Sequence, residues 1–590
     1  MKGKILLWVS IFMILIGGIV ANLVQDDFCK VRVRDVRFAA SDGRIMSALL
    51  FIPKNATVKT PAPGILAIHG YINSRETQSG FSIEFARRGW VVLELDQSGH
   101  GYSDPPVGAN GYGAIDGLAY LRSLDFVDKN KIGLEGHSMG GWASVIAAAV
   151  HPNDYKAMVL EGSSTATTYS KKYVPIPGTP TFPRNLAVVY STYDQFAMLM
   201  WEIPIASNVV NSKPLEKVFG VDTTIVPGKI YGSIEKGTAR VLYQPKTTHP
   251  GDHLSQAAIG YAVEWFQKTL GEVKAIPTGN QIWYWKSIAT LVALIGGILL
   301  LFAAGDHILN TRYFSSLKGA PQNPKPATGA GWWIGAALTF IIPTITYLYL
   351  AAIGSNMVMK PSWLFPQKET NGIMFWLVVN AILSLIFFAI WHLASNKKKG
   401  ATMASYGLKS SSGFEWKKFW LSLWYALIVV SAVYLSLIVI SFFFTVDYRF
   451  WVVALKPMSP LQARIALRYL IPFGLFYLMF AVVLHGQLRV QGSFAKKMIV
   501  STIVAAGGYL VLLLVMYIPL LAGGKFGVPD VGMVLYGIIA IQLFPLFVIV
   551  SLVSTYFYEK TGLVYAGAFV NALFITWYIV AGQATGFPLL

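Results

Sequence analysis

Residues 133–150 read GLEGHSMGGWASVIAAAV, and the fold turns on Ser138 within them. Lys131–Glu135 has the short apolar character of a strand, and Gly141–Val150 has the small-residue, apolar character of a helix. Between them Gly136 and Gly140 flank Ser138, where a strand-to-helix turn is too sharp and too crowded for side chains. Such a turn lifts a serine hydroxyl to the end of a sheet. There the N-terminus of the next helix and the Met139 backbone N–H can stabilise an oxyanion. The alternative is a serine kept small only for close helix packing.

The flanking sequence supports the first reading. From Val31 to about Glu272, the runs GILAIHG, WVVLELD, KIGLEGHS, KAMVLEGSS, NLAVVYSTYD and ARVLYQP have the composition of buried strands. FSIEFARRG, AIDGLAYLRSL and GGWASVIAAAV lie between them as helices. Strands alternating with helices predict an α/β domain with a mostly parallel sheet covered on both faces.

Four motifs carry a resemblance: HGYINSRE from His69, ELDQSGHGYSD from Glu94, GHSMGG from Gly136, and an acid and a histidine following in that order. Together they make residues 31–272 similar to the α/β-hydrolase superfamily of serine hydrolases. The resemblance implies a Ser-His-Asp triad with Ser138 as nucleophile. It also implies a second oxyanion donor, the backbone N–H of Tyr71. His69, His100 and His137 become structural residues around the turns. Asp194, at the end of NLAVVYSTYD, is the expected acid. Asp222 and Asp252 are weaker alternatives, since neither follows a clear strand. His249, on the loop after ARVLYQP, is the expected base, and His253 is the alternative. The chemistry implied needs no metal and no cofactor. Most relatives with a lid insert it before the acid-bearing strand, and residues 163–184 supply only a short cap there. A second insertion, 197–230, contains MLMWEIP, whose Met and Trp are expected to pack against the core.

Composition places this domain beside a membrane. The 590 residues are 54% hydrophobic and 13% charged, too apolar for an ordinary soluble protein. An apolar run from Ile5 to Val24 reads as a retained anchor, because it exceeds a signal-peptide core and lacks a clear cleavage site. Eight further runs follow, at about 284–304, 331–354, 372–394, 420–444, 468–486, 498–521, 531–556 and 563–583. The expected organisation is therefore an anchor over 1–24, an extracellular α/β domain over 25–275, and an all-α polytopic membrane domain over 276–590, about nine spans in total.

Residues 25–275 hold 25 basic and 23 acidic residues, whereas 276–590 hold 21 and 6. The basic excess belongs to the membrane half, which argues against a nucleic-acid partner. With the α/β domain outside, 15 basic residues, among them Lys2, Lys4, Lys325 and Lys397–Lys399, fall on the cytoplasmic side. Eight fall outside: Lys286, Lys360, Lys368, Arg449, Lys456, Arg464, Arg468 and Lys525. This is the asymmetry expected of a multi-pass cell-membrane protein with a cytoplasmic N-terminus and an outer C-terminus. The outer loop DYRFWVVALKPMSPLQARIALRYL (447–470) is unusually basic. It reads either as an interfacial helix whose arginines reach lipid phosphates or as a cationic platform for an anionic lipid or polymer. EKTGLVYAGAFVNALFITWYIV (559–580) resembles the last helices of the CAAX-protease-like family. That family's paired glutamates and metal-binding histidines are missing, so no activity is carried over.

Three function classes follow. The first is a membrane-embedded serine hydrolase that cleaves an acyl ester, thioester or amide of a small-molecule, lipid or peptide substrate at the outer face. The second is an acyltransferase that passes the same acyl group to a cell-surface glycan or lipid. The third is a non-enzymatic transporter or sensor with a hydrolase-like binding lobe.

Overall fold

The computed structural model describes residues 2–321, 329–410 and 413–588; Lys325 and the side chain of Lys2 lie outside the described residues. Helix α1 (Lys2–Gln25) leads into strands β1 (Val31–Ala39), β2 (Ile45–Pro53) and β3 (Ala62–Ile68). Helix α2 (Ser79–Arg87), β4 (Val91–Asp96), a short α3 (Ala109–Tyr112) and α4 (Ala114–Ser123) come next. Then follow β5 (Val127–His137), α5 (Met139–Val150), β6 (Ala157–Glu161), β7 (Leu186–Val189), short α6 (Ala197–Trp201) and α7 (Lys213–Phe219), β8 (Arg240–Tyr243) and α8 (Gln256–Leu270).

The eight strands form one sheet in the order β1-β2-β4-β3-β5-β6-β7-β8. The run β4-β3-β5-β6-β7-β8 is parallel, and β1 and β2 join it antiparallel. Strand β3 is buried along its whole length, as a strand covered on both faces must be. Leu66, Ile68, Leu93 and Leu134 meet α4 and α5 on one face. Ile65, Ala67, Val92 and Val159 meet Phe81, Phe85, Trp265 and Phe266 of α2 and α8 on the other.

The expected parallel sheet is thus present, with two differences. The antiparallel β1–β2 pair went unread, because β1 is an edge strand whose Arg32, Arg34, Asp35 and Arg37 are exposed and mask its pattern. The nucleophile strand and helix are also longer than expected, reaching His137 and starting at Met139, so Ser138 alone makes the turn.

The second half contains α9 (Trp283–Leu309), α10 (Ala330–Ile353), α11 (Lys368–Trp391), α12 (Trp416–Phe444), α13 (Pro460–Val482), α14 (Phe494–Leu521), α15 (Val534–Thr561) and α16 (Tyr565–Gly582). With α1 these give nine helices, among the described residues, that are long and apolar enough to cross a membrane. Their ends sort into two layers. At one end Gln25 Nε2–H bonds Thr445 Oγ1 at 3.0 Å, Lys286 Nζ bonds Ser79 Oγ at 2.9 Å, and Thr585 N–H bonds Gly99 O at 2.8 Å, all against the α/β domain. At the other end Lys560 Nζ pairs with Asp306 at 2.9 Å. Helix α1 lies so close to α9 that a Cβ at Gly17 would sit 2.6 Å from the Ala289 carbonyl oxygen.

The basic loop 447–470 is neither an interfacial helix along its length nor an open platform. Its first part is a hairpin of β9 (Tyr448–Phe450) and β10 (Val453–Leu455), with Trp451 at positive φ in the turn. Arg449 bonds Asp447 at 2.7 Å and Glu76 at 3.4 Å, and Lys456 is buried. Arg449 thus meets the carboxylate of its own segment, Asp447, and one from the α/β domain, Glu76. Arg464 is exposed on α13, and Arg468 lies over the Trp363 ring at 4.6 Å.

On the α2/α8 face the sheet carries three buried carboxyls, Glu94 on β4, Glu135 on β5 and Glu161 on β6, all within its parallel part. Burial pushes Glu135 up to about 8, although its contact with Gln78 Nε2 at 2.6 Å works the other way. A carboxyl protonated in the fold but ionised in the unfolded chain stabilises the fold at low pH and loses that contribution as pH rises. Thermal unfolding of the full chain in detergent should therefore show the Tm of the wild type falling relative to that of Glu135→Gln between about pH 5 and about pH 8. An unchanged slope in the variant would place the titration elsewhere.

Candidate active site

Ser138 adopts φ 54° and ψ −120°, a conformation a non-glycine residue holds only when its surroundings impose it. Those surroundings are specific. A Cβ at Gly136 would lie 2.3 Å from the Gly140 backbone, and one at Gly140 would lie 2.1 Å from the Ile68 carbonyl oxygen. Ser138 N–H donates to Glu161 O at 2.8 Å, and Ser163 Oγ–H donates to Ser138 O at 2.6 Å. Parallel strands β3 and β6 thus fix the turn from both sides.

Two of the expected partners come together. His249 Nδ1 lies 2.8 Å from Asp194 Oδ2, both are buried, and Phe196 N–H holds Asp194 Oδ1 at 2.7 Å. Gln195, which the sequence did not single out, accepts from His249 N–H at 2.8 Å and so sets the histidine loop. Gly162 leaves room for the pair, since a Cβ there would meet His249 Nδ1 at 2.8 Å.

His253 has no such acid. Both its ring nitrogens are buried without a hydrogen-bond partner among the described residues, and burial holds it well below the usual histidine range. His137 separates it from His249, with ring centroids 4.3 Å and 4.6 Å away. Asp252 accepts from Ser191 Oγ and lies 3.6 Å from His137, and Asp222 is exposed. Neither contacts His249 among the described residues.

The other histidines brace turns. His69 Nδ1 lies 2.7 Å from Gly70 O, and its Nε2 accepts from Gln97 N–H at 3.2 Å. His100 Nε2 accepts from Ile72 N–H at 3.3 Å, and burial pushes His100 down to about 4, so it stays a neutral acceptor. With Ile72 N–H engaged, the neighbouring Tyr71 N–H and the Met139 N–H have no protein acceptor among the described residues.

Ser138, Met139, Tyr71 and His249 open into one cavity of about 840 Å³. Its near wall includes Trp142, Tyr173, Leu199 and Met200, so part of the 197–230 insertion faces the cavity while Trp201 packs in the core. Its far wall comes from the membrane half: Glu369 of α11, Trp451 and Lys456 of the hairpin segment, Leu535, Tyr536 and Ile539 of α15, and Ile579 of α16. Glu369 accepts from Tyr536 Oη–H at 2.6 Å and Tyr71 Oη–H at 3.3 Å. Trp451 Nε1–H bonds Pro250 O at 2.6 Å, one residue from His249. The basic loop 447–470 drew attention in the sequence through its charge, whereas the Glu369, Tyr536 and Trp451 contacts left no local pattern, since they join segments far apart in the chain.

A family model described as alpha/beta hydrolase fold matches residues 63–187. Over 89 residues the chain is 34% identical to a 2-hydroxy-6-oxononadienedioate/2-hydroxy-6-oxononatrienedioate hydrolase of Cupriavidus pinatubonensis, a match covering 15% of this chain and 30% of that protein's length. Similar solved structures include an esterase of Pyrococcus furiosus, 14% identical over 42% of this chain and 94% of that one, with a TM-score of 0.31. An esterase of Butyrivibrio proteoclasticus with ferulic acid bound is 18% identical over 40% of this chain and 100% of that one, with a TM-score of 0.30. The sheet order, the turn at Ser138 and the family match agree: the first half of this chain has the alpha/beta hydrolase fold, joined to a bundle of apolar helices.

Proposed function

We propose that the protein is a membrane-embedded serine hydrolase that cleaves acyl esters at the outer membrane face, with Ser138, His249 and Asp194 as its triad. The observation that carries this reading is the His249–Asp194 pair at 2.8 Å, opening with the strained Ser138 turn into one cavity. His249 Nε2 takes the Ser138 Oγ proton as Oγ attacks the acyl carbon. The N–H groups of Tyr71 and Met139 hold the oxyanion. The alkoxide leaves with the proton from His249, and a water then attacks the acyl-serine with His249 again as base, releasing the acid and restoring Ser138. Asp194 keeps Nδ1–H directed away from the serine and stabilises the imidazolium. The outer location is supported by the distribution of basic residues along the chain.

A fluorophosphonate probe should label the folded protein at Ser138, and Ser138→Ala should abolish labelling. Turnover of p-nitrophenyl butyrate should fall by about 10³-fold or more in His249→Ala. His253→Ala should keep at least about a tenth of the activity, since losses outside a triad are far smaller. Labelling that persists in Ser138→Ala, or an active His249→Ala, would sink the assignment. Gly140→Val should lose labelling with Ser138 intact, because its Cβ collides with the Ile68 carbonyl.

Cys29, the single cysteine, is exposed just after α1 and reports orientation without any substitution. In intact cells a membrane-impermeant maleimide should label it. Labelling only after permeabilisation would place the α/β domain inside.

A further inference from the structure

Lys456 is a charged side chain that shares its surroundings with Glu76, Asp96 and Asp447 but makes no direct ion pair with them among the described residues. Its backbone carbonyl accepts from Trp577 Nε1–H at 2.8 Å, which fixes its position against α16. The side chain is 7% exposed and lines the same cavity as Ser138, yet its Nζ has no hydrogen-bond acceptor and no ion-pair partner among the described residues. The ammonium therefore faces the cavity, where an anion entering it would find a partly desolvated positive charge.

The carboxylates around it are committed elsewhere. Glu76 and Asp447 pair with Arg449, and Asp96 accepts from Arg75 N–H at 2.9 Å. Burial lowers the proton affinity of Lys456, Arg449 adds to that, and Glu76, Asp96 and Asp447 oppose it. His69 and His100 face it too, and burial keeps both neutral. Arg449 is thus balanced by Asp447 and Glu76, and of the other charged residues described around the cavity Lys172, Lys368 and Lys456 are basic and Glu369 is acidic. Both oxygens of Glu369 already accept tyrosine hydroxyls, so it offers little to a cationic group.

The wall that carries Lys456 also presents apolar side chains. Leu535, Ile538 and Ile539 of α15 and Ile579 of α16 face the cavity from helices long enough to cross a bilayer. Resting on the serine-hydrolase reading above, we propose that the substrate is an anionic acyl lipid, its acidic headgroup paired with Lys456 and an acyl chain laid along α15 and α16. The membrane half is then the part of the active site that selects the substrate, and Ser138 supplies the chemistry.

The test compares kcat/KM of the full chain in mixed micelles for dioleoyl phosphatidylglycerol, dioleoyl phosphatidylcholine and the water-soluble dibutyryl phosphatidylglycerol. A preference of about tenfold or more for the anionic over the zwitterionic long-chain lipid is expected, the size one close charge pair supplies. Lys456→Gln should bring that ratio close to one, and Lys456→Arg should restore it. Equal rates on the two long-chain lipids, or a Lys456→Gln protein with the wild-type ratio, would overturn the headgroup assignment. Faster turnover of the soluble ester than of its long-chain counterpart would overturn the lipid assignment. Either failure, in a protein still labelled at Ser138 and active on p-nitrophenyl butyrate, leaves the hydrolase reading standing; absence of labelling removes that reading first.

Discussion

The approach of β5, α5 and β3 around Ser138 is the constraint on which the rest depends. Three chain segments meet there with no room for a Cβ at Gly136 or Gly140, and Ser138 takes up the whole change of direction at φ 54°. A residue held in such a region costs about 1–3 kcal/mol, which the surrounding structure must supply. It does so through the parallel ladder: β6 receives the Ser138 N–H at Glu161 O, and Ser163 from the loop after β6 bonds back to Ser138 O. The same strands deliver Gly162 beneath the His249–Asp194 pair. The turn and the histidine–acid pair are therefore positioned by one set of hydrogen bonds, and a shift of the β5–β6 register would disturb both.

What the sheet does not supply is a roof. The segment 163–184 is short and contains no helix, so it covers only one side of the opening, through Tyr169, Lys172 and Tyr173. The remaining side is closed by the helical half. The hairpin is pinned by Arg449 to Asp447 and Glu76 and by Trp451 to Pro250. Helices α11 and α15 are tied to the Tyr71 loop through Glu369 and Tyr536. These links reach the loop that carries one free N–H and the loop that carries His249. The apolar bundle therefore bears directly on the geometry of the site.

The local features were legible in the sequence and the long-range ones were not. Gly136, Ser138 and Gly140 announce their turn because sterics act between neighbours in the chain. The buried strands announce themselves by unbroken apolar runs, and the nine apolar helices by length. Loop position favours His249 over His253, and the structure adds that His249 Nδ1 lies 2.8 Å from Asp194 while the His137 ring packs against both histidines. The edge strand β1 was missed because its exposed charges break the apolar pattern. Glu369 and Trp451 were invisible as site residues, since what matters about each is a partner in a distant segment.

The hairpin also changes how the basic residues of the membrane half should be weighed. Eight of them fall on the side assigned to the α/β domain, which looks like a partial exception to an asymmetry of positive charge. Three of the eight are accounted for by that domain itself. Arg449 pairs with Glu76, Lys286 bonds Ser79, and Lys456 is buried in the shared cavity. Charges used in this way answer to the fold, whereas Lys397–Lys399 on the opposite side are exposed. Lys560, Lys497 and Lys418 on that side are likewise paired, with Asp306, Glu559 and Glu415, so the fold uses basic residues at both ends and the uneven division rests on the count along the chain. That division is what supports placing the cavity, and the chemistry proposed for it, on the outer surface.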